Sequence, residues 1–228
     1  MFYYSYSYLL YMLPGLVLML YAQFKVKHSF SKYSQVTNQR GLTGADAARE
    51  VLRQNGVDGV RIEHVSGNLS DHYDPRTNVI RLSDDVYNST SVAAVGVASH
   101  EAGHAVQYAK SYGPIKLRAA IIPACNIGSQ LGIPLALIGA VMGVLGLVYA
   151  GLALFGLAVL FQVITLPVEF NASRRAINAI NSTALLTKEE AKGAKAVLSA
   201  AAMTYVAAMI QSLLMLLYYV SRFTGRRD

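Results

Sequence analysis

Apolar and polar residues alternate along this chain in long blocks, and the apolar blocks have the length of membrane spans. The first block runs over Tyr8–Phe24 and ends at Lys25, the first charged residue. The second block, residues 119–168, contains no Asp, Glu, Lys or Arg, and the third runs over about Val197–Val220. A hydrocarbon core of ~30 Å takes about 20 helical residues, so these blocks predict transmembrane helices.

The uncharged block of residues 119–168 is too long for a single span. One helix of these 50 residues would extend about 75 Å at ~1.5 Å per residue, more than twice the hydrocarbon thickness. We therefore predict two spans joined by a hairpin near Gly143, Gly146 and Gly151, and four spans in the whole chain. The first span is expected to be an uncleaved anchor, because no positive charge precedes it and Tyr21-Ala22-Gln23 is a poor cleavage site.

The polar stretch between the first two apolar blocks, residues 25–118, begins with the signals of a helix. Thr43 and Asp46 have the spacing of a capping box at a helix start. We predict a helix through residues 45–53, and Asn55-Gly56 supplies its stop signal.

The remainder of this polar stretch predicts a small sheet and a second helix. Residues 60–65 alternate with period two, and residues 78–82 form another strand-like run after a turn at residues 74–76. The polar residues at 88–91 are N-cap candidates for a helix over about Val92–Tyr108. The stretch is therefore expected to fold as a small α+β unit.

The composition agrees with a chain that is partly solvated by lipid. Hydrophobic residues make up 54% of the 228 residues, charged residues only 14%, and the mean hydropathy is +0.35. The net charge of +7 comes from Lys and Arg spread over the polar segments, which argues against a nucleic-acid partner. The single cysteine, Cys125, excludes a cysteine-rich zinc site and an internal disulfide.

The distribution of positive charge predicts the orientation in the membrane. With four spans, residues 25–118 and 169–195 lie on one face, and they hold 17 of the 20 Lys and Arg residues. The other three, Arg222, Arg226 and Arg227, lie in the C-terminal tail on the opposite face. By the positive-inside rule, the α+β unit is expected to face the cytoplasm.

Residues 100–104 read His-Glu-Ala-Gly-His, inside the helix predicted for residues 92–108. On a helix the two histidines project from one face one turn apart, where they can share one Zn²⁺ ion. Two surface histidines on an amphipathic helix are the alternative, but small apolar residues surround the motif and favour burial. We predict a zinc site held by His100 and His104, with Glu101 as the general base toward water.

A catalytic zinc site normally takes three protein ligands, so a third is expected. Glu169 is the first charged residue after the uncharged block, and the four-span topology returns it to the face that holds the histidines. His72 is its main rival, whereas His28 and His64 are better explained as solvated or structural residues. Glu169 is the favoured ligand, and His72 stays an alternative.

These motifs resemble those of the YugP-type membrane zinc metallopeptidases. The resemblance rests on residues 100–104 and on LPVEFNASRR at 166–175, and it extends to residues 44–48 and 71–75, nearly the whole chain. More distantly, the layout is similar to HtpX and the CAAX prenyl proteases, whose third zinc ligand opens an E-x-x-x-D motif. Glu169 matches that Glu, which implies a gluzincin-like site. Ser173 stands where those relatives have Asp, so a carboxylate contact to a zinc ligand is not carried over.

The resemblance implies a zinc metalloprotease without settling a substrate. Together with the predicted topology, we expect an enzyme integral to a bacterial cytoplasmic membrane that acts on membrane-associated or misfolded proteins at the cytoplasmic face. Its partners are then a protein or peptide substrate and the lipid bilayer. Candidates for oxyanion or substrate contacts are His72, Tyr73, Arg174 and Arg175. The strand near residues 79–82 is a candidate edge to which an extended substrate adds. A catalytically inactive membrane scaffold with the same fold is the alternative.

Two other classes of membrane protein fit the sequence less well. An intramembrane protease would use an Asp deep in a second span, and residues 119–168 contain no Asp. A transporter usually keeps ionisable residues at bilayer depth, and the predicted spans have none.

The predicted fold is a mainly α membrane protein with four transmembrane helices and a small α+β, zincin-like cytoplasmic catalytic unit. Its predicted segments are an N-terminal anchor (1–24), the zincin-like unit (25–118), a helical hairpin (119–168), a cytoplasmic segment with the third ligand (169–196), and a C-terminal helix with a short tail (197–228).

Overall fold

The computed structural model describes residues 6–224, apart from the side chains of Ser7 and Thr224. The helices in this part of the chain are α1 (Tyr6–Ser34), α2 (Gly44–Gln54), α3 (Val92–Ala109), α4 (Gly113–Val141), α5 (Leu145–Ser182) and α6 (Lys188–Thr224). The strands are β1 (Arg61–His64), β2 (His72–Asp74) and β3 (Val79–Leu82). Arg226 and Arg227, two of the predicted tail charges, lie outside the described residues.

Four of the described helices are long and apolar enough to cross a membrane, as the hydrophobic pattern predicted. They are Tyr8–Ser34 within α1, the whole of α4 and α5, and Lys188–Phe223 within α6. Residues 142–144 separate α4 from α5, which confirms that the uncharged block folds as two helices, each long and apolar enough to cross a membrane. Gly143 lies in that turn with a φ of 71°, which glycine adopts without steric cost, whereas the other two predicted hairpin glycines lie inside α5.

The long helices continue beyond the apolar segments that predicted them. α1 extends to Ser34 rather than ending near Phe24, and α6 begins at Lys188 rather than near Val197. Apolar length marks only the part of a helix that suits lipid, whereas the helix ends where the backbone changes direction. Between α5 and α6 that change occurs at residues 183–187, where Ala184 has a φ of 50°.

The described part of the chain divides into two compact units, one of which consists of residues 6–23, 116–166 and 204–224. In that unit α4 and α5 pack closely at Gly132, where a Cβ atom would lie 2.7 Å from the backbone nitrogen of Phe155. Small residues allow such close helix contact, which is typical of helix pairs in lipid.

The second unit, residues 24–115 and 167–203, contains the sheet, α2 and α3. Local signals set its helix boundaries as predicted. Thr43 Oγ1 accepts a hydrogen bond from the backbone N–H of Asp46 at 3.1 Å, and the Asp46 carboxylate accepts from the Thr43 N–H at 3.2 Å. Ser91 caps α3 by accepting from the N–H of Ala94 at 3.1 Å. The core of the unit is small and aliphatic, and fully buried examples are Ala47, Val51, Ile80, Leu82, Ala98 and Val106.

The sheet has the strand order β1-β3-β2, which makes the prediction of a substrate edge at residues 79–82 wrong. β3 pairs with β1 in parallel, with Val79 opposite Arg61, and with β2 antiparallel, with Val79 opposite Asp74. A strand with neighbours on both sides has no free row of N–H and C=O groups to offer. The sequence pattern missed β2, because three residues are too few to display an alternation.

Candidate metal centre

The candidate site lies in the second unit, where α3 packs against α5. At this contact Gly103 faces the backbone of Ala172, and a Cβ atom on residue 103 would lie 2.7 Å from the Ala172 carbonyl oxygen. Only glycine allows so short an approach. The motif glycine therefore brings the histidine-bearing helix against the first two turns that follow Pro167 on α5.

Three side chains of the types that bind metals converge at this contact. Nε2 of His100 lies 3.3 Å from Oε2 of Glu169, and Nε2 of His104 lies 3.6 Å from the same oxygen. One ligand atom from each residue lies within 4.8 Å of the other two. The histidine side chains are 15% and 12% exposed and the Glu169 side chain only 3%. The structure thus brings together the three residues that were predicted as metal ligands.

The geometry and chemistry of this donor set fit a zinc ion. Two imidazole nitrogens and one carboxylate oxygen form the ligand set of many catalytic zinc sites. Ligand atoms about 2.1 Å from one tetrahedral ion are about 3.4 Å apart. The observed separations of 3.3 and 3.6 Å between the histidine nitrogens and the Glu169 oxygen match that spacing.

The electrostatics of the centre also favour a bound cation. Burial lowers the pKa of His104, but the nearby carboxylates of Glu169 and Glu101 outweigh it, so the net shift is upward. Burial also raises the pKa of the Asp71 carboxyl, and the charge of Glu101 raises it further, against two hydrogen bonds from Ser83. Several carboxyl groups therefore give the site a negative potential, which attracts positive charge.

Each histidine has a polar partner at Nδ1 in addition to the Glu169 oxygen at Nε2. Ser173 Oγ lies 3.1 Å from Nδ1 of His100, so a hydroxyl rather than a carboxylate contacts this ring. Gln107 Oε1 lies 3.0 Å from Nδ1 of His104. Gln107 was not predicted from sequence. Its spacing of three residues from His104, which places both on one helix face, was the available signal.

The candidate oxyanion residues on β2 make contacts within the sheet region. The Tyr73 hydroxyl donates to Oδ1 of Asn78 at 2.8 Å. Nδ1 of His72 lies 2.7 Å from the carbonyl oxygen of Ser70, and its Nε2 lies 3.4 Å from a guanidinium nitrogen of Arg81. His72 is outside the cluster of three ligand atoms. Oxyanion or substrate contacts of these two residues stay predictions.

The candidate residues on α5 differ in their surroundings. Arg174 is exposed, whereas Nε of Arg175 donates to Oδ1 of Asn171 at 2.8 Å. Glu101, the predicted base, is buried on α3 with 9% exposure. Its position next to His100 keeps it on the helix that carries both histidines.

Comparisons with known proteins agree with this geometry. A family model described as "Putative neutral zinc metallopeptidase" matches residues 8–224. The chain is 49% identical over 216 residues to the protein named "Putative membrane protease YugP" from Bacillus subtilis (strain 168), with 95% of this chain and 96% of that protein covered. No solved structure matches the chain.

Proposed function

This chain belongs to the zinc metallopeptidase family whose model it matches over residues 8–224, and on that premise we propose that it is an integral membrane metalloprotease. Its proposed reaction is the hydrolysis of peptide bonds in membrane-associated or misfolded proteins at the cytoplasmic membrane face. The observation that carries the proposal is the convergence of His100, His104 and Glu169 at separations that suit one zinc ion.

In the proposed mechanism, His100 and His104 would hold a zinc ion through Nε2, and Glu169 would hold it through Oε2. When bound, zinc supplies Lewis acidity, which polarises a substrate carbonyl and acidifies water. The Glu101 carboxylate takes one proton from the attacking water as the water oxygen bonds to the carbonyl carbon. It then passes that proton to the leaving amine nitrogen as the C–N bond breaks, so Glu101 ends the cycle deprotonated.

We propose that an extended substrate adds to the edge of β2, because β3 is the central strand and has no free edge. β2 contacts α3, the helix of the histidines, and its own pairing to β3 uses only one of its two edges. No further strand pairs with β2 among the described residues. An extended substrate joining β2 would gain main-chain hydrogen bonds next to the metal centre.

The proposed orientation rests on charge. Residues 25–118 and 169–195, which hold all the proposed site residues, also hold 17 of the 20 Lys and Arg residues. The positive-inside rule places such segments in the cytoplasm.

The test of this proposal replaces Glu101 by Gln in the full-length protein. Glu101→Gln keeps the size of the side chain and removes its basicity, so zinc content should stay near one ion per chain while proteolysis falls by roughly 10²–10⁴-fold. Because the substrate is unknown, membranes from cells with the wild type and with the variant are compared for proteins that accumulate or copurify only with the variant. Glu189→Gln is the matched control, since Glu189 is exposed and pairs with Lys192.

Two results would count against the proposal. One is that every membrane protein is present at the same level with the wild type and with Glu101→Gln, which would exclude Glu101 as the base. The other is a wild-type protein that retains no zinc after purification and leaves the same membrane proteins as the variant, which would favour an inactive scaffold.

A further inference from the structure

Gln107 is completely buried near the end of α3, and its side-chain amide contacts three groups. Its Nε2 donates to the carbonyl oxygen of Val168 at 2.8 Å and to Oδ1 of Asn171 at 3.0 Å. Its Oε1 lies 3.0 Å from Nδ1 of His104. Both N–H donors of the amide and its oxygen are therefore engaged, the donors toward α5 and the oxygen toward the candidate zinc ligand.

The chemistry of the neighbours allows only this orientation of the amide. The carbonyl oxygen of Val168 can only accept a hydrogen bond, so the Gln107 atom that faces it must be nitrogen. The contacts of Asn171 independently support the same orientation of the Gln107 amide. A guanidinium can only donate, so the Asn171 atom 2.8 Å from Nε of Arg175 is oxygen, and the same oxygen faces the Gln107 nitrogen.

The orientation of Gln107 determines which ring nitrogen of His104 carries hydrogen. An amide oxygen accepts and never donates, so Nδ1 of His104 must be the N–H group. A neutral imidazole has one N–H, and both Gln107 Oε1 and the Glu169 oxygen could accept it. The Glu169 oxygen lies 3.6 Å from Nε2, beyond hydrogen-bond distance, whereas Gln107 Oε1 lies 3.0 Å from Nδ1, so the N–H belongs on Nδ1 and the lone pair on Nε2. His104 is thus held in the tautomer that presents Nε2 to a metal.

The polar contact at Nδ1 of His100 differs from the contact at Nδ1 of His104. Its Nδ1 lies 3.1 Å from the hydroxyl of Ser173, and a hydroxyl can either donate or accept. Ser173 therefore orients the His100 ring without imposing a tautomer, so the two ligands of one motif are controlled differently.

We propose that Gln107, Asn171 and Arg175 form a relay of positioning residues that selects the Nδ1–H tautomer of His104 and so tightens zinc binding. The inference rests on the proposed metal centre and adds residues that act on it from outside. Partners of this kind typically change metal affinity by about 10–100-fold when they are removed.

The test measures histidine tautomers and zinc affinity separately, in the full-length protein in detergent. Nitrogen-15 NMR of labelled histidines in zinc-free protein, at alkaline pH where the rings are neutral, reports which ring nitrogen carries hydrogen. Zinc affinity is measured by competition with a chelator. The variants are Gln107→Met, which keeps the length of the side chain without its polar atoms, and the pair Asn171→Leu and Asn171→Asp. Asn178→Leu is the control, because Asn178 is exposed on α5 two turns after Asn171.

In the wild type we expect the Nδ1–H tautomer at His104. Gln107→Met should populate the other tautomer at His104 but not change His100, and should weaken zinc about 10–100-fold. Asn171→Leu should shift both measurements in the same direction. Asn171→Asp should match the wild type, since its carboxylate still accepts from Arg175 and Gln107, and so should Asn178→Leu.

Three results would overturn the relay. They are an Nε2–H tautomer at His104 in the wild type, an unchanged His104 tautomer in Gln107→Met, and equal effects of Asn171→Leu and Asn171→Asp. If Gln107→Met does not fold, the Asn171 pair decides. A wild type that binds no zinc would refute the proposed function, while the tautomer measurement on zinc-free protein would still test the relay.

Discussion

Replacing Gly103 by Ala tests whether the close approach of α3 and α5 assembles the metal centre. The added Cβ would lie 2.7 Å from the carbonyl oxygen of Ala172 and 3.3 Å from its Cα and carbonyl carbon. All three are backbone atoms, so no side-chain rotation relieves the overlap. Ordinary contact begins at 3.4 Å, so the helices must separate by roughly 0.7 Å, as overpacked interfaces do.

The expected effects follow from that displacement. Overpacking typically costs about 1–3 kcal/mol, and the better helix propensity of Ala returns about 1 kcal/mol, so we expect the free energy of unfolding to fall by about 0–2 kcal/mol. The same movement separates the histidines on α3 from Glu169 on α5. Metal sites tolerate errors of only about 0.2 Å in ligand distance, so zinc affinity should fall at least about 10-fold.

Gly96→Ala is the matched control, since Gly96 lies two turns earlier on the same helix. Its Cβ would meet the Cβ of Ala194 at 3.3 Å, a mild overlap with a side-chain atom. Both variants gain the same helix propensity, so their difference isolates the contact with Ala172. The assays are thermal unfolding in detergent and zinc competition with a chelator. Equal stability and equal zinc affinity in the two variants would refute the idea that this contact sets the ligand geometry.

Two further predictions concern the third ligand and the topology. Glu169→Ala should lose both zinc and proteolysis, because only two of the three proposed ligands remain. His72→Ala should keep zinc, since the His72 ring lies outside the ligand cluster. Metal analysis after identical dialysis checks both, and the reverse pattern would move the third ligand to His72. In a variant without Cys125, single cysteines at positions 55 and 185 should react only with reagents that reach the cytoplasm, and one at position 226 only from outside. Labelling of 55 and 185 from opposite faces would refute the four-span topology.

Features that depend only on residues close together in the sequence could be predicted from it. The number of spans follows from the length of uncharged sequence and the rise of a helix, and four described helices have the required length and apolarity. The capping box at Thr43 and the pairing of His100 with His104 act within one turn of helix. Such features need no knowledge of distant parts of the chain.

Features that join distant segments were decided only by the tertiary structure. β2 and β3 pair across a turn while β1 pairs with β3 from the other side, and this order made β3 central. No local pattern distinguishes a central strand of four residues from an edge strand, because the difference lies in which partners come close.

The metal centre combines both kinds of information. The sequence determined which residues are two of the proposed ligands and the proposed base, because their spacing on one helix predicts that chemistry. It favoured Glu169 only through topology and resemblance, since the distance from His104 to Glu169 depends on how closely α3 and α5 pack at Gly103. The proposed role of Gln107 could not be predicted from the sequence, because its hydrogen-bond partners Val168 and Asn171 lie 61 and 64 residues further along the chain. An amide side chain acquires a defined orientation only when folding places specific donors and acceptors around it.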